Sequence, residues 1–269
     1  MMNKLFRYSG NKENFVPVFN DLVNGARFLN YYEPFVGSGS VLYNCINDVP
    51  RTFVGDSDPM IVRMHRAVAK FSYDQYIGMV NAVDQKFGDV KESKEAYYGF
   101  RNYWNDRFFK DDSGASGMVL IYLASACINS MLRFGPNGMN QSFGKRKYVI
   151  GEQEWNHMHD VAANSTITCG SYFDVNFADD SLIFLDPPYY VRKMTYDHGF
   201  DTRRFVDSLK NLRLRNSMVI YTDMDNEISD SLTGHGFSKT CVREMRSTSP
   251  SRGSQDSTGS EVCYVKRFP

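Results

Sequence analysis

The chain has 269 residues, enough for one large domain or a core carrying an insertion, and its 42% hydrophobic share is that of an ordinary globular protein. Lysine plus arginine and aspartate plus glutamate both number 31, so a nucleic-acid partner would be held by a local basic patch and not by overall charge. The five cysteines (Cys45, Cys127, Cys169, Cys241 and Cys263) are widely spaced with no C-x-x-C pair, which argues against zinc or dithiol redox chemistry and predicts reduced, mostly buried thiols.

From the start, "MMNKLFRYSGNK" lacks the apolar core of a signal peptide, and no apolar run later approaches membrane-spanning length. The expected location is the cytoplasm of a bacterial or phage-infected cell. "GNKENFVPVFNDLVNG" carries apolar residues at near-helical spacing from Phe15 to Val23. "NYYEPFVGSGSVLYNCI" predicts a strand, a glycine turn and a helix, and "RTFVGDSDP" a second strand ending at Asp56. Between residues 60 and 161 the texture becomes helical, polar and aromatic-rich, with no strand–helix alternation. His157 and His159, two apart, could share a strand face, but they lack the partners a metal site needs. The alternation then returns. "TITCGSYFDV", "LIFLDPPYY", "RRFVDSLKNLRLRN" and "SMVIYTDMD" predict strand, strand, helix and strand, followed by a terminal hairpin whose Ser/Thr/Gly-rich connection spans residues 247–260. This pattern predicts an α/β core split by a helical insertion.

Three features carry chemistry. Gly37 and Gly39 stand at the predicted strand-to-helix turn, where absent side chains let backbone amides approach a ligand; a tight structural turn is the competing reading. Asp56 lies 19 positions after Gly37, the spacing of a ribose-binding acid. Leu42 occupies the place of the third glycine of a dinucleotide fingerprint, so a nucleoside cofactor without a pyrophosphate fits better, and S-adenosylmethionine is one. Residues 182–185 form a short apolar run suited to a strand buried on both faces of a parallel sheet, which puts Asp186 at the ligand-binding carboxyl edge. Pro187 and Pro188 stiffen the turn that follows. The lone pair of adenine's exocyclic amine is delocalised into its ring. The Asp186 carboxylate and the Pro187 carbonyl, accepting that amine's hydrogens, would localise the lone pair. The Tyr189 ring offers a face for a base removed from the stack, a role in which its hydroxyl is dispensable. A proline-terminated strand with Tyr189 as packing is the alternative.

Together, "RYSGNK", "EPFVGSGSV", "GDSDP" and "LDPPYY", in this order and with a helical insertion before the last, resemble the motifs of the Dam-type (D12 class) DNA adenine-N6 methyltransferases over nearly the whole chain. The resemblance implies a Rossmann-like S-adenosylmethionine-dependent core over residues 1–59 and 166–269, and a helical target-recognition insertion over residues 60–165. It implies that Tyr8, Lys12, Phe35, Gly37, Gly39, Asp56, Tyr172, Phe173, Asp186 and Tyr196 line the cofactor site, and that Asp186, Pro187, Pro188 and Tyr189 form the catalytic tetrapeptide. Residues 129–148 look like the family's DNA-reading hairpin. There Arg133 suits a guanine, Asn137 marks the turn, and Lys145, Arg146 and Lys147 suit phosphates. Gly135 and Pro136 replace polar residues at its tip, so the target stays open between GATC and a related short site. The expected partner is double-stranded DNA, the expected cofactor S-adenosylmethionine without a metal, and the expected state a monomer or weak dimer. The rival readings are a methyltransferase of RNA or of a protein amide, and a non-catalytic DNA-binding relative.

Overall fold

The computed structural model of the protein describes residues 3, 5, 12–46, 49–128, 132–144, 149–189, 200–245 and 259–269. Among them the strands are β1 (Asn30–Glu33), β2 (Arg51–Asp56), β3 (Phe134–Gly135), β4 (Gly138–Met139), β5 (Ser165–Cys169), β6 (Ser181–Leu185), β7 (Ser217–Met224), β8 (Ser238–Met245) and β9 (Gly259–Phe268). The helices are α1 (Val16–Val23), α2 (Leu42–Cys45), α3 (Pro59–Lys70), α4 (Tyr73–Phe87), α5 (Lys94–Arg107), α6 (Gly114–Ser125), α7 (Glu152–Ala163), α8 (Thr202–Asn211) and α9 (Glu227–Asp230). Seven strands form a sheet in the order β5-β2-β1-β6-β7-β9-β8, and β3 pairs with β4 alone. The fold is mixed α/β, as the alternating pattern predicts.

By contacts the chain divides into two compact units, the first comprising Met1–Asp21, Val36–Asp48 and Val54–Gly170, the second Leu22–Phe35, Val49–Phe53 and Ser171–Pro269. These units cut the chain elsewhere than at residues 59 and 165.

In the second unit β6 lies parallel to both β1 and β7, with Tyr31 opposite Leu182 and Leu185 opposite Tyr221. All five β6 residues are buried, which is why the strand reads as a continuous apolar run and not as an alternating one. The strands β7, β9 and β8 continue antiparallel. Helix α8 buries Phe205, Val206 and Leu209 at helical spacing against Tyr172, Ile183 and Tyr221, each such side chain contributing roughly 1.5–3 kcal/mol. The Asp201 side chain accepts from the Arg204 amide and starts that helix.

The first unit is dominated by helices with side-chain caps. Asp58 caps α3 ahead of Pro59, Ser72 and Gln75 form a capping box on α4, and Ser93 and Ser113 cap α5 and α6. Helix α6 is buried on all sides from Ser116 to Ser125, so it shows no apolar stripe. At Gly117 an added Cβ would sit 2.1 Å from the Arg63 carbonyl oxygen, so glycine sets how closely α3 and α6 approach.

Two expectations need correction, while the helix expected after the glycine turn is present as the single turn α2. His157 and His159 lie on α7 and not on a strand. Each ring bonds a backbone carbonyl, of Tyr43 and of Val68 respectively, so their spacing reflects helix packing. All five cysteines are free, but only Cys127 and Cys263 are buried, while Cys169 and Cys241 are exposed. Of residues 247–260, the last two begin β9, and 247–258 lie outside the described residues.

Candidate active site

Within the first unit, the glycine turn is held at both backbone polar groups of one residue, Gly37. The Gly37 amide donates to Asp56 Oδ2 (3.1 Å), and the Gly37 carbonyl accepts from His65 Nε2 (2.9 Å). His65 is fully buried on α3, and burial lowers its pKa to about 4, so the ring is neutral. With the proton on Nε2, Nδ1 accepts from the Tyr43 hydroxyl (2.7 Å). Gly37 and Gly39 have φ of 49° and 78°, in the left-handed region. A Cβ on Gly39 would stand 2.4 Å from the Tyr43 ring, so this position requires glycine twice over. Asp56 also accepts from the Asp58 amide through Oδ1 (2.9 Å). Desolvation by burial nevertheless raises its carboxyl to about 6, partly offset by these two amides. Lys12 is buried, and its carbonyl accepts from the Phe15 and Val16 amides at the start of the first helical segment.

In the second unit Phe35 stacks on Tyr172 with ring centroids 5.6 Å apart and 17° between planes. The Tyr172 hydroxyl meets Ser208 Oγ (3.1 Å), and Phe173 lies beneath the Arg204 guanidinium at 4.0 Å. Asp186 follows β6 directly, and its Oδ1 accepts from Thr222 Oγ1 of β7 (2.8 Å). Pro187 is buried, Pro188 exposed and Tyr189 half-buried. The Tyr189 hydroxyl donates to Glu261 Oε1 (2.7 Å) of β9, and Glu261 Oε2 accepts from Arg243 Nε (2.7 Å) of β8. Burial, then the nearby charges of Asp186 and Glu261, push the Tyr189 hydroxyl far above its ordinary range, so it stays a donor. That hydroxyl is therefore engaged by a neighbouring side chain.

Elsewhere in the first unit, β3 and β4 form a hairpin whose turn is Pro136–Asn137, with Asn137 exposed at its tip. Arg133 is exposed, and its Nε donates to Asn140 Oδ1 (2.8 Å), which steadies the guanidinium beside the turn. Asn105 of α5 anchors the hairpin by donating to the Met139 carbonyl (2.9 Å) and accepting from its amide (2.8 Å). The predicted residues Tyr8, Lys145, Arg146, Lys147 and Tyr196 lie outside the described residues.

A family model described as "D12 class N6 adenine-specific DNA methyltransferase" matches residues 8–245. The chain belongs to that D12 class family. Among curated relatives, the DNA adenine methylase of Escherichia coli K12 is 32% identical over 161 residues, covering 58% of this chain and 55% of that protein. The DNA adenine methylase of Vibrio cholerae O395 is 29% identical over 188 residues, covering 68% and 64%. The Type II methyltransferase M.MjaIII of Methanocaldococcus jannaschii is 27% identical over 168 residues, covering 59% and 58%. The matched part thus spans little more than half the length of the first of these relatives.

Sequence reasoning on the D12 motifs reached Gly37, Asp56 and Asp186 and missed the residues that hold them. His65 sits inside an amphipathic helix, Thr222 in an apolar strand and Glu261 in a terminal one, each without a motif around it. Among the described residues no group of three or more His, Cys, Asp or Glu side chains could hold a metal ion, and no helix is long and apolar enough to cross a membrane.

Proposed function

We propose that this chain transfers a methyl group from S-adenosylmethionine to N6 of an adenine extruded from duplex DNA, in GATC or a related short site, in the cytoplasm. The observation that carries the reading is Asp186, fixed by Thr222 at the carboxyl end of a buried parallel strand and followed by two prolines and a ring. A carboxylate there accepts a hydrogen of the adenine amine, localises its lone pair and stabilises the positive charge that grows on N6 during transfer. The Pro187 carbonyl is the second acceptor. Tyr189 supplies the stacking face, a few kcal/mol being the usual cost of unstacking a base.

The residues present suit the cofactor. S-adenosylmethionine, when bound, supplies an electrophilic methyl on a sulfonium. Asp56 is a desolvated carboxylate that accepts from the Gly37 and Asp58 amides and has capacity for more, which fits ribose hydroxyls. Phe35, Gly37, Gly39, Tyr172 and Phe173, with Lys12, Tyr8 and Tyr196, complete the proposed cofactor set. Residues 60–165 would serve target recognition, with Arg133 and Asn137 at base edges and Lys145, Arg146 and Lys147 on phosphates.

A labelled-methyl assay with duplex DNA, RNA and protein as separate substrates tests the reading. Label in the adenine of duplex DNA is expected, and sequencing of methylated adenines then gives the site. Label confined to RNA or protein overturns it.

A further inference from the structure

Two neighbouring strands grip the turn that follows β6. Thr222 on β7 holds Asp186 at its start, and Glu261 on β9 holds the Tyr189 hydroxyl at its end. Glu261 is only 4% exposed, and a buried carboxylate is costly unless paired and hydrogen-bonded. Its pairing is with Arg243, its direct cross-strand partner, whose Nε donates to Oε2 while Tyr189 donates to Oε1. The ion pair therefore presents one carboxylate oxygen at a fixed place to the only polar atom of the Tyr189 side chain. A ring that merely packed would gain nothing from this, because stacking needs no hydroxyl.

We propose that Glu261, fixed by Arg243, is a positioning residue that sets the plane of the Tyr189 ring on which the extruded adenine rests. The inference builds on the proposed adenine-N6 methylation. A ring held in one orientation keeps the amine against Asp186, whereas a ring free to rotate lets the base leave the reactive pose. The effect belongs to the methyl-transfer step and not to cofactor affinity.

Single-turnover methylation of duplex DNA at saturating cofactor and DNA tests this in Tyr189→Phe, Glu261→Gln, Glu261→Ala and the double variant Tyr189→Phe/Glu261→Ala. Glu261→Ala and Tyr189→Phe should each lose about tenfold in rate, equivalent to ~1.4 kcal/mol, and the double variant no more than either alone. Glu261→Gln should recover most of the rate. Its oxygen can face Arg243 while its amide donates to the Tyr189 oxygen, which keeps the tether with its direction reversed. Cofactor affinity by calorimetry should be unchanged in all four. A full rate in Tyr189→Phe, or additive losses in the double variant, overturns the proposal; if Glu261→Ala does not fold, the Tyr189→Phe and Glu261→Gln rates decide it. Should the wild type methylate no DNA, the functional reading falls separately, and NMR of the protein carrying 13C-labelled tyrosine tests the tether. Slower flipping of the Tyr189 ring in wild type than in Glu261→Ala supports the tether, and equal rates overturn it.

Discussion

The glycine turn and the D-P-P-Y turn each put an acid at a strand end, but they are immobilised by opposite means. Around Gly37 and Gly39 it is the backbone that is held, by the Asp56 and His65 side chains on the Gly37 amide and carbonyl, while Tyr43 and His65 pack where a Cβ on Gly39 would go. After β6 the prolines fix the backbone, and the partners are side chains from successive strands of the sheet: Thr222 of β7, Glu261 of β9 and, behind it, Arg243 of β8. The first turn should therefore be broken by adding atoms, the second by deleting polar ones.

The largest effect is expected from deletion at the second turn. Asp186→Ala removes the group that stabilises charge on the amine and should lower the single-turnover rate on the order of 10²-fold or more, with duplex binding retained. Asp186→Asn keeps an acceptor oxygen and should fall less; rates near wild type in Asp186→Ala would remove the acid from the chemistry. Addition at the first turn comes next. Gly39→Ala meets the Tyr43 ring at 2.4 Å in a φ of 78°, so overpacking of about 1–3 kcal/mol adds to ~1–2 kcal/mol of backbone strain. Gly25 has nearly the same φ, 74°, and nothing within 4 Å. Gly25→Ala should show the strain alone, and denaturant unfolding of the two variants separates strain from overlap.

This contrast also explains what could be read from the sequence. Glycines and prolines declare themselves because few other residues tolerate their backbone roles, so both turns and the strand ending at Asp186 were legible, and so was the α/β alternation. The supports were not. His65 is one polar residue inside a helix that buries Met60, Ile61, Met64 and Val68, and only folding shows that its ring reaches the Gly37 carbonyl. Glu261 and Arg243 are 18 residues apart, and their pairing depends on a strand register no local pattern states. The histidine pair on α7 failed for a related reason. A spacing of two suits a strand, yet on this helix each ring found its own carbonyl.

Smaller effects sharpen the roles of single side chains. Asp56→Ala should weaken S-adenosylmethionine binding by roughly 1.5–3 kcal/mol through loss of a charged acceptor, and unchanged affinity in a folded variant would take Asp56 out of the cofactor site. Arg133→Ala should relax preference at one base pair at a cost of about 1–3 kcal/mol. Methylation profiles across single-base variants of the preferred site check this, and an unaltered profile removes Arg133 from base reading.

The smallest effect is a pH dependence at Asp56, where binding and stability should move in opposite directions. Its carboxyl is raised from 3.8 to about 6 chiefly by burial, so ionisation in the folded state is unfavourable. The folded chain holds this proton more tightly than the unfolded chain. Asp56 therefore contributes stability that is full below about pH 4 and is lost as pH rises through about 6. Ribose hydroxyls need the ionised acceptor, so cofactor affinity should fall as pH drops through the same value, by about tenfold between pH 7.5 and 5. Calorimetric titrations and thermal unfolding over that range give both trends on one sample, and Asp56→Asn should flatten both. An affinity that holds steady down to pH 5 while the stability trend persists would mean that the buried acid titrates as described but does not touch the ribose.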